Sequence, residues 1–457
     1  MAILGAFVVP HPPLIIKEIG KGEEIIVKKT IDSYHEIAKI VKELKPDTII
    51  ISSPHTILNY DSFSILGEQK LTGLFKRFGC SEVSFEEQND IELVKEIISL
   101  SNNEVVESPK ETKLDHGTMV PLYFIEQEYK DFQLVVIGLS GKSYYEHYKI
   151  GKIIQEAIEN TNRRVVYIAS GDLSHKQQEY GPYGFVEEGP IYDNRIMDIL
   201  RNSRFNELLT FDEKLCRKAS ECGHRSFIMM AGALDGIEVK AEELSHENTT
   251  GVGYGIVTYQ IIGKSNNRFF LKEYLINEKE RIRKQRENAD IYVKLAVETI
   301  YEYIKNQRVI ECPKDLPKEL IENKRGTFVT IYKMNRLRGC IGTILPSREN
   351  IAAEIIGNAI SAATSDYRFS EVKEEELDYL EIHVDVLSPL QVVDSIEDLD
   401  VKKYGIVVKS GFKKGVLLPN LQSIETVEEQ IEVAKEKGNI SENENYTIER
   451  FEVIRHE

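Results

Sequence analysis

Four short runs in the first half of the chain are apolar at nearly every position: "ILGAFVV" (3–9), "TIIIS" (48–52), "QLVVIGLS" (133–140) and "RVVYIAS" (164–170). A strand with one wetted face alternates apolar and polar side chains, so a run without alternation must be covered on both faces. Between the runs lie stretches of helical spacing: residues 31–44, then Leu93, Ile97 and Leu100, then Ile150, Ile153, Ile154, Ala157 and Ile158. Buried strands alternating with amphipathic helices predict an α/β domain whose mainly parallel mixed sheet is flanked by helices. Two more strands, near 237–244 and 253–262, close this first domain at residue 262.

Residues 263–287 are polar and densely charged, and read as a linker whose helical part is solvated. The second domain, 288–457, has a different pattern. Val293, Val297, Ile300 and Ile304 form a helix stripe, and a second helix is expected over 350–363. "TFVTIYKM" and "LRGCIGTI" read as strands with Asn335-Arg336 between them. In "LEIHVDVLS" (380–388) Leu380, Ile382, Val384 and Val386 share one face, and Glu381, His383 and Asp385 the other. That alternation predicts a half-exposed strand of an antiparallel sheet, with His383 facing solvent. The second domain is therefore expected to be α+β, and 457 residues suit two cores better than one.

A net charge of −17 excludes a broad electrostatic face for nucleic acid or anionic membranes. No stretch reaches the roughly 18 apolar residues of a membrane span. The opening residues lack the basic region and cleavage site of a signal peptide. Five cysteines (Cys80, Cys216, Cys222, Cys312, Cys340) form no C-x-x-C pair, which points to a reducing compartment, the cytoplasm. A homo-oligomer is compatible with all of this.

Open parallel sheets bind ligands outside the carboxyl ends of their strands. His11 follows the first run and His55 the second, each beside a proline that restricts the backbone. "GDLSH" brings Asp172 and His175 to the same edge, and "LDHGTMVP" sets His116 in a loop before the third run. Four histidines are thus expected on one rim. In "AEELSHENTTGVGYG" (241–255) Glu247 offers a carboxylate after another strand, while His246 has no assigned role. Two imidazoles and a carboxylate leave open positions on a divalent ion, which suits non-haem Fe(II) first. Zn(II) sites draw on the same residue types.

Taken in order, "VVPHPPL", "SSPHT", "LDHGTMVPL", "SGDLSH" and "HENTTGVGYG" resemble the motifs of the class III extradiol ring-cleavage dioxygenases of the catalytic LigB type. The related Memo family shares that fold. The resemblance covers about residues 1–262. It implies that His11, His55 and Glu247 bind the metal, that His175 is the acid–base catalyst and that His116 contacts substrate. It also implies an oxidoreductase that cleaves a catechol or another small chelating substrate with O₂. The Memo-like members imply the alternative, a metal-binding or interaction protein that cleaves no ring. "CGHRSF" (222–227) matches a family segment too, with His224 near the expected site, whereas Cys222 reads as a small buried residue.

In "RLRGCIGTI" (336–344) Arg338 stands two residues before Cys340, a spacing at which a cation could activate a thiol. A cysteine filling a tight, glycine-flanked strand fits the same pattern. With "AATSDYRFSEVKEEELDYLEIHVDVLSP" (362–389) and "GVLLPNL" (415–421), this stretch resembles the AMMECR family over about residues 288–455. That resemblance implies a compact α+β domain and an association with a radical-SAM protein. The chain has no C-x₃-C-x₂-C motif, so radical chemistry would belong to that partner.

Overall fold

The computed structural model describes residues 2–421 and 424–457. Two compact units divide the chain, Met1–Leu275 and Ile276–Glu457.

In the first unit the strands are β1 (Ile3–Val9), β2 (Thr48–Ser53), β3 (Phe63–Ile65), β4 (Lys70–Leu74), β5 (Ser84–Gln88), β6 (Val105–Glu107), β7 (Gln133–Gly138), β8 (Val165–Ser170), β9 (Ile237–Glu247) and β10 (Tyr254–Lys264). Eight of them form one sheet in the order β6-β3-β7-β2-β8-β1-β10-β9. β7, β2, β8 and β1 run parallel, and β10 and β9 add antiparallel strands. β4 and β5 pair separately as a hairpin.

Each apolar run divides its side chains between two cores. Ala6, Val8, Ile50, Val135 and Ala169 face helices Tyr144–Thr161 and His224–Ala233. Phe7, Val9, Ile49, Ile51 and Val136 face helices Lys28–Leu44 and His116–Ile125. Each valine, isoleucine or phenylalanine among them contributes roughly 1.5–3 kcal/mol by burial, which is why these strands lack alternation. The register sets the strand ends side by side: Val9 lies opposite Ser170, Ser52 opposite Ala169, and Ser53 opposite Gly138.

The second unit contains β11 (Thr327–Lys333), β12 (Arg336–Gly342), β13 (Leu380–Leu387), β14 (Gln391–Val392), β15 (Tyr404–Ser410), β16 (Lys413–Leu417) and β17 (Thr447–His456). All pairings are antiparallel, along the path β12-β11-β13-β17-β15-β16 with β14 on β17. Helices Ile291–Asn306 and Ile351–Thr364 cover the apolar face of β11 and β13. Helix Val427–Lys437 covers β15 and β16. Within the stretch expected to be a linker, Phe270–Asn288 forms one helix carrying the short-range ion pairs Glu278–Arg281 and Glu280–Arg283.

Two expectations are corrected here. The β11–β12 turn is Met334-Asn335, not Asn335-Arg336, because those two residues take the left-handed backbone (φ 49° and 60°) that a two-residue hairpin requires. His383 does not face solvent: its side chain is 13% exposed, and Nε2 lies 2.9 Å from Glu381 Oε1. The polar face of β13 is occupied by ion pairs, among them Asp385–Arg455 at 2.9 Å. Among the described residues no helix is long and apolar enough to cross a membrane.

Candidate metal centre

His11 leaves the end of β1 and is 1% exposed. Its main-chain N–H donates to Asp172 Oδ1 (2.7 Å), and its Nδ1 lies 2.9 Å from Ser170 Oγ. The Ser170 hydroxyl donates its single proton to Gly117 O (2.6 Å), so toward His11 it can only accept. Nδ1 therefore carries the proton and Nε2 presents a lone pair, the state of a metal-binding imidazole. That Nε2 faces His55 Nε2 at 2.9 Å.

His55 follows β2 and is held by the strand end. Its N–H donates to Ser53 Oγ (3.3 Å), whose own proton goes to Asp115 Oδ1 (2.6 Å). Asp115 in turn caps helix His116–Ile125 by accepting from Thr118 N. That cap places His116 in the first turn, stacked on His55 with ring centroids 4.1 Å apart and 5.2 Å from His11. His175 completes the rim. Its ring stacks on Tyr183 at 5.1 Å, and its Nε2 is buried with no hydrogen-bond partner among the described residues.

Burial and then the neighbouring imidazoles hold His11 well below the usual histidine range. Burial, His55 and Arg77 take His116 down to about 3, and burial with His55 takes His175 to about 4. At neutral pH all three rings are uncharged, as ligation requires. Burial raises Asp172 to about 7, against the His11 N–H that stabilises its anion. The site collects the lone pairs of several uncharged imidazoles.

Cys222, read from the sequence as a small buried residue, has its Sγ 3.5 Å from His11 Nε2, and it accepts from Asp172 N at 3.2 Å. Burial, followed by the charges of Asp172 and Glu221, pushes this thiol well above its ordinary pKa. The approach depends on paired glycines. A Cβ on Gly171 would lie 2.0 Å from the Cα of Gly223, so the two loops meet only without side chains there. The glycines in "SGDLSH" and "CGHRSF" are the sequence signal for this contact.

Among the described residues, two groups have donor atoms close enough to share an ion: His11, His55 and His116; and His11, Asp172 and Cys222. Glu247, expected from the sequence as the carboxylate ligand, belongs to neither group. Its Oε1 accepts from Thr30 N (2.8 Å) and Thr30 Oγ1 (2.6 Å) on helix Lys28–Leu44. His246 lies 3.6 Å from Asp193. The glycine-rich stretch after them supports the "GDLSH" loop through backbone hydrogen bonds, Leu173 N to Gly253 O and Gly253 N to Ser174 O. His224 is fully buried among Tyr144, Tyr192 and Phe211, and lies outside both groups.

The donor set fits a divalent ion. Two nitrogens each about 2.0–2.1 Å from one ion stand about 3 Å apart at a right angle, close to the His11–His55 separation. In the second unit, Arg338 gives its guanidinium to Glu376 (2.9 Å) and to the carbonyls of Ser370 and Glu371. Cys340 Sγ lies 3.3 Å from Thr330 Oγ1, and its main-chain N–H donates to Asp366. Arg338 thus directs its donors to Glu376 and two carbonyls, and Arg368 donates to the Cys340 carbonyl.

Over residues 5–257 the chain matches the family described as the catalytic LigB subunit of aromatic ring-opening dioxygenase. Residues 293–456 match the AMMECR1 family. A Clostridium acetobutylicum protein is 40% identical over 468 residues, spanning 100% of this chain and 99% of its own length. A Thermotoga maritima protein is 47% identical over 167 residues, 36% of this chain and 96% of its own. Among solved structures, an uncharacterized protein of Pyrococcus horikoshii is 31% identical, with a TM-score of 0.33, over 37% of this chain and 91% of that one.

Proposed function

The chain belongs to the family of the catalytic LigB subunit of aromatic ring-opening dioxygenase, joined here to an AMMECR1 domain, and on that premise we propose that its first unit is a metal-dependent oxidoreductase centre. His11 and His55 hold the ion, Asp172 supplies the carboxylate, and Fe(II) is preferred to Zn(II). The observation that carries this reading is the approach of two Nε2 atoms to 2.9 Å beside a buried carboxyl.

A bound ferrous ion would supply open positions where a chelating diol and O₂ meet. The chain's own residues supply the rest. Ser170 fixes the tautomer of His11. His175, uncharged and with an unpartnered Nε2, can take a proton from a substrate hydroxyl and return it. His116 and Phe78, with ring centroids 5.2 Å apart, offer aromatic surface to a planar substrate.

Cys222 favours a second reading. A thiol 3.5 Å from His11 Nε2 would be exposed to oxidation in a site that handles O₂, and thiolate ligands suit zinc. In that reading the unit is a Memo-like metal-binding protein without ring cleavage, and the AMMECR1 domain docks a partner protein that carries the radical-SAM chemistry.

Metal analysis of protein purified anaerobically and loaded with Fe(II) or Zn(II) tests the site. Wild type should hold about one equivalent. His11→Ala and His55→Ala should lose it while remaining folded, and Glu247→Ala should keep it. Equal metal in all four proteins, or none in wild type, overturns the assignment. Oxygen uptake with catechol then separates the two readings: uptake abolished in a metal-replete His175→Ala variant supports ring cleavage, and no uptake by the Fe(II) wild type supports the second.

A further inference from the structure

The loop that carries Asp172 and His175 is pinned from behind by helix Glu188–Arg201. Residues 189 and 193 lie one turn apart on the face that meets the loop. A Cβ on Gly189 would stand 2.3 Å from Lys176 O, so helix and loop touch there without a side chain. One turn on, Asp193 is 2% exposed, and its Oδ1 accepts from Ser174 N at 2.8 Å. Ser174 is itself fully buried and donates its hydroxyl to Ala219 O. Gly253 closes the other side: a Cβ there would lie 1.8 Å from Asp193 Oδ2.

A carboxyl group buried to this degree is unfavourable unless its oxygens are engaged. Oδ1 is engaged by the loop. Oδ2 is buried with no hydrogen-bond partner among the described residues, and His246 Nε2 stands 3.6 Å from it. Burial raises the pKa of Asp193, and the first group to oppose that rise is His246, followed by the Ser174 N–H. A hydrogen bond from loop to helix would account for Oδ1 alone. It does not account for a second oxygen buried beside the histidine of "HENTTGVGYG".

We propose that Asp193 and His246 are a positioning pair for the metal centre. His246 orients the carboxyl group and the carboxyl group fixes the Ser174 N–H. The loop thereby holds Asp172 against the His11 N–H and His175 on the rim. Groups that orient a ligand from outside in this way change metal affinity by about 10–100-fold. The effect on an ion rests on the metal-site reading, whereas the hold on His175 does not.

Two readouts on the full chain test this. In metal-free protein, the rate at which diethyl pyrocarbonate modifies His175, followed by mass spectrometry, reports how firmly the loop is held. In protein titrated with Co(II), the affinity and the d–d absorption bands report the geometry of the site. Asp193→Ala should react about threefold faster at His175, bind Co(II) about tenfold more weakly and shift the bands. Asp193→Asn keeps an oxygen for the Ser174 N–H and should restore the wild-type rate and bands. His246→Ala should change both readouts in the direction of Asp193→Ala, by less. Its side chain is 26% exposed, so it keeps the test decisive should Asp193→Ala not fold. Val94→Ala removes core packing in helix Ile91–Leu100, at the β6 edge of the sheet opposite β9. It should lower the melting temperature and leave both readouts as in wild type.

Wild-type reactivity of His175 in Asp193→Ala or His246→Ala overturns the proposal. So does an Asp193→Asn variant no better than Asp193→Ala, or the same changes in Val94→Ala. Reactivity of His175 that follows Asp193 in a protein that takes up no Co(II) would uphold the positioning pair and sink the metal reading. Co(II) bound with unchanged affinity and bands in every variant would do the reverse.

Discussion

A buried imidazole is a useful ligand only if one nitrogen is bare and aimed, and at His11 a serine hydroxyl ensures both. The sequence shows His11, but the Ser170 that sets its tautomer is 159 residues away, and no local pattern links them. The same holds for Glu376 in the second unit. Its side chain is 11% exposed and accepts from Arg338, Lys333 and the Lys373 N–H. Burial alone would raise its pKa, but these donors outweigh burial and bring it down to about 2. Because the folded value lies below that of the unfolded chain, this stabilisation is complete above about pH 4.5 and is lost as pH falls toward 2. It amounts to on the order of 3 kcal/mol. Acid titration of the wild type should show that loss of stability, and Glu376→Gln should be less stable at neutral pH but flatter through the window. Parallel pH–stability curves for the two proteins would contradict this account.

The elements that build the sheet are legible because each carries its own period. The runs 3–9 and 48–52 match β1 and β2 to within a residue, since burial on both faces is written into consecutive side chains. Loops carry no such signal. The β11–β12 turn lies one residue from its expected place because Met334, an apolar residue with its side chain 6% exposed, does not look like a turn residue. His383 departs from expectation for a related reason: alternation shows which face a residue takes, not what covers that face. At the element scale the centre depends on the loop after β8 meeting the loop before helix His224–Ala233. Gly171→Ala would drive a methyl group into the Gly223 backbone, and the loops must part. That variant should lose about 1–3 kcal/mol and bind metal more weakly, measured by thermal unfolding and metal titration. Wild-type metal affinity in Gly171→Ala would show that the close approach does not matter to the site.

Across the whole molecule, the first unit surrounds its sheet with two cores and the second has cores of its own, so ligation should act on one set of packing alone. Scanning calorimetry should resolve two transitions. Metal at a hundred times its dissociation constant should raise only the first unit's, by about 2.7 kcal/mol, and a chelator should reverse it. Movement of both transitions with metal would argue against separate cooperative units. Periodicity and spacing by themselves determined the two fold classes and the strands that carry His11 and His55, and they led to the expectation that His116 and His175 share one rim. Those are properties of neighbouring residues and of sheets in general. Only the tertiary structure decided what stands beside His11: Asp172 and Cys222, not Glu247. Which carboxylate stands beside His11 depends on how distant loops pack, while Glu247 Oε1 accepts from Thr30 on another helix. Distances of a few ångströms between residues more than two hundred positions apart are set by the packed chain, and no local pattern encodes them.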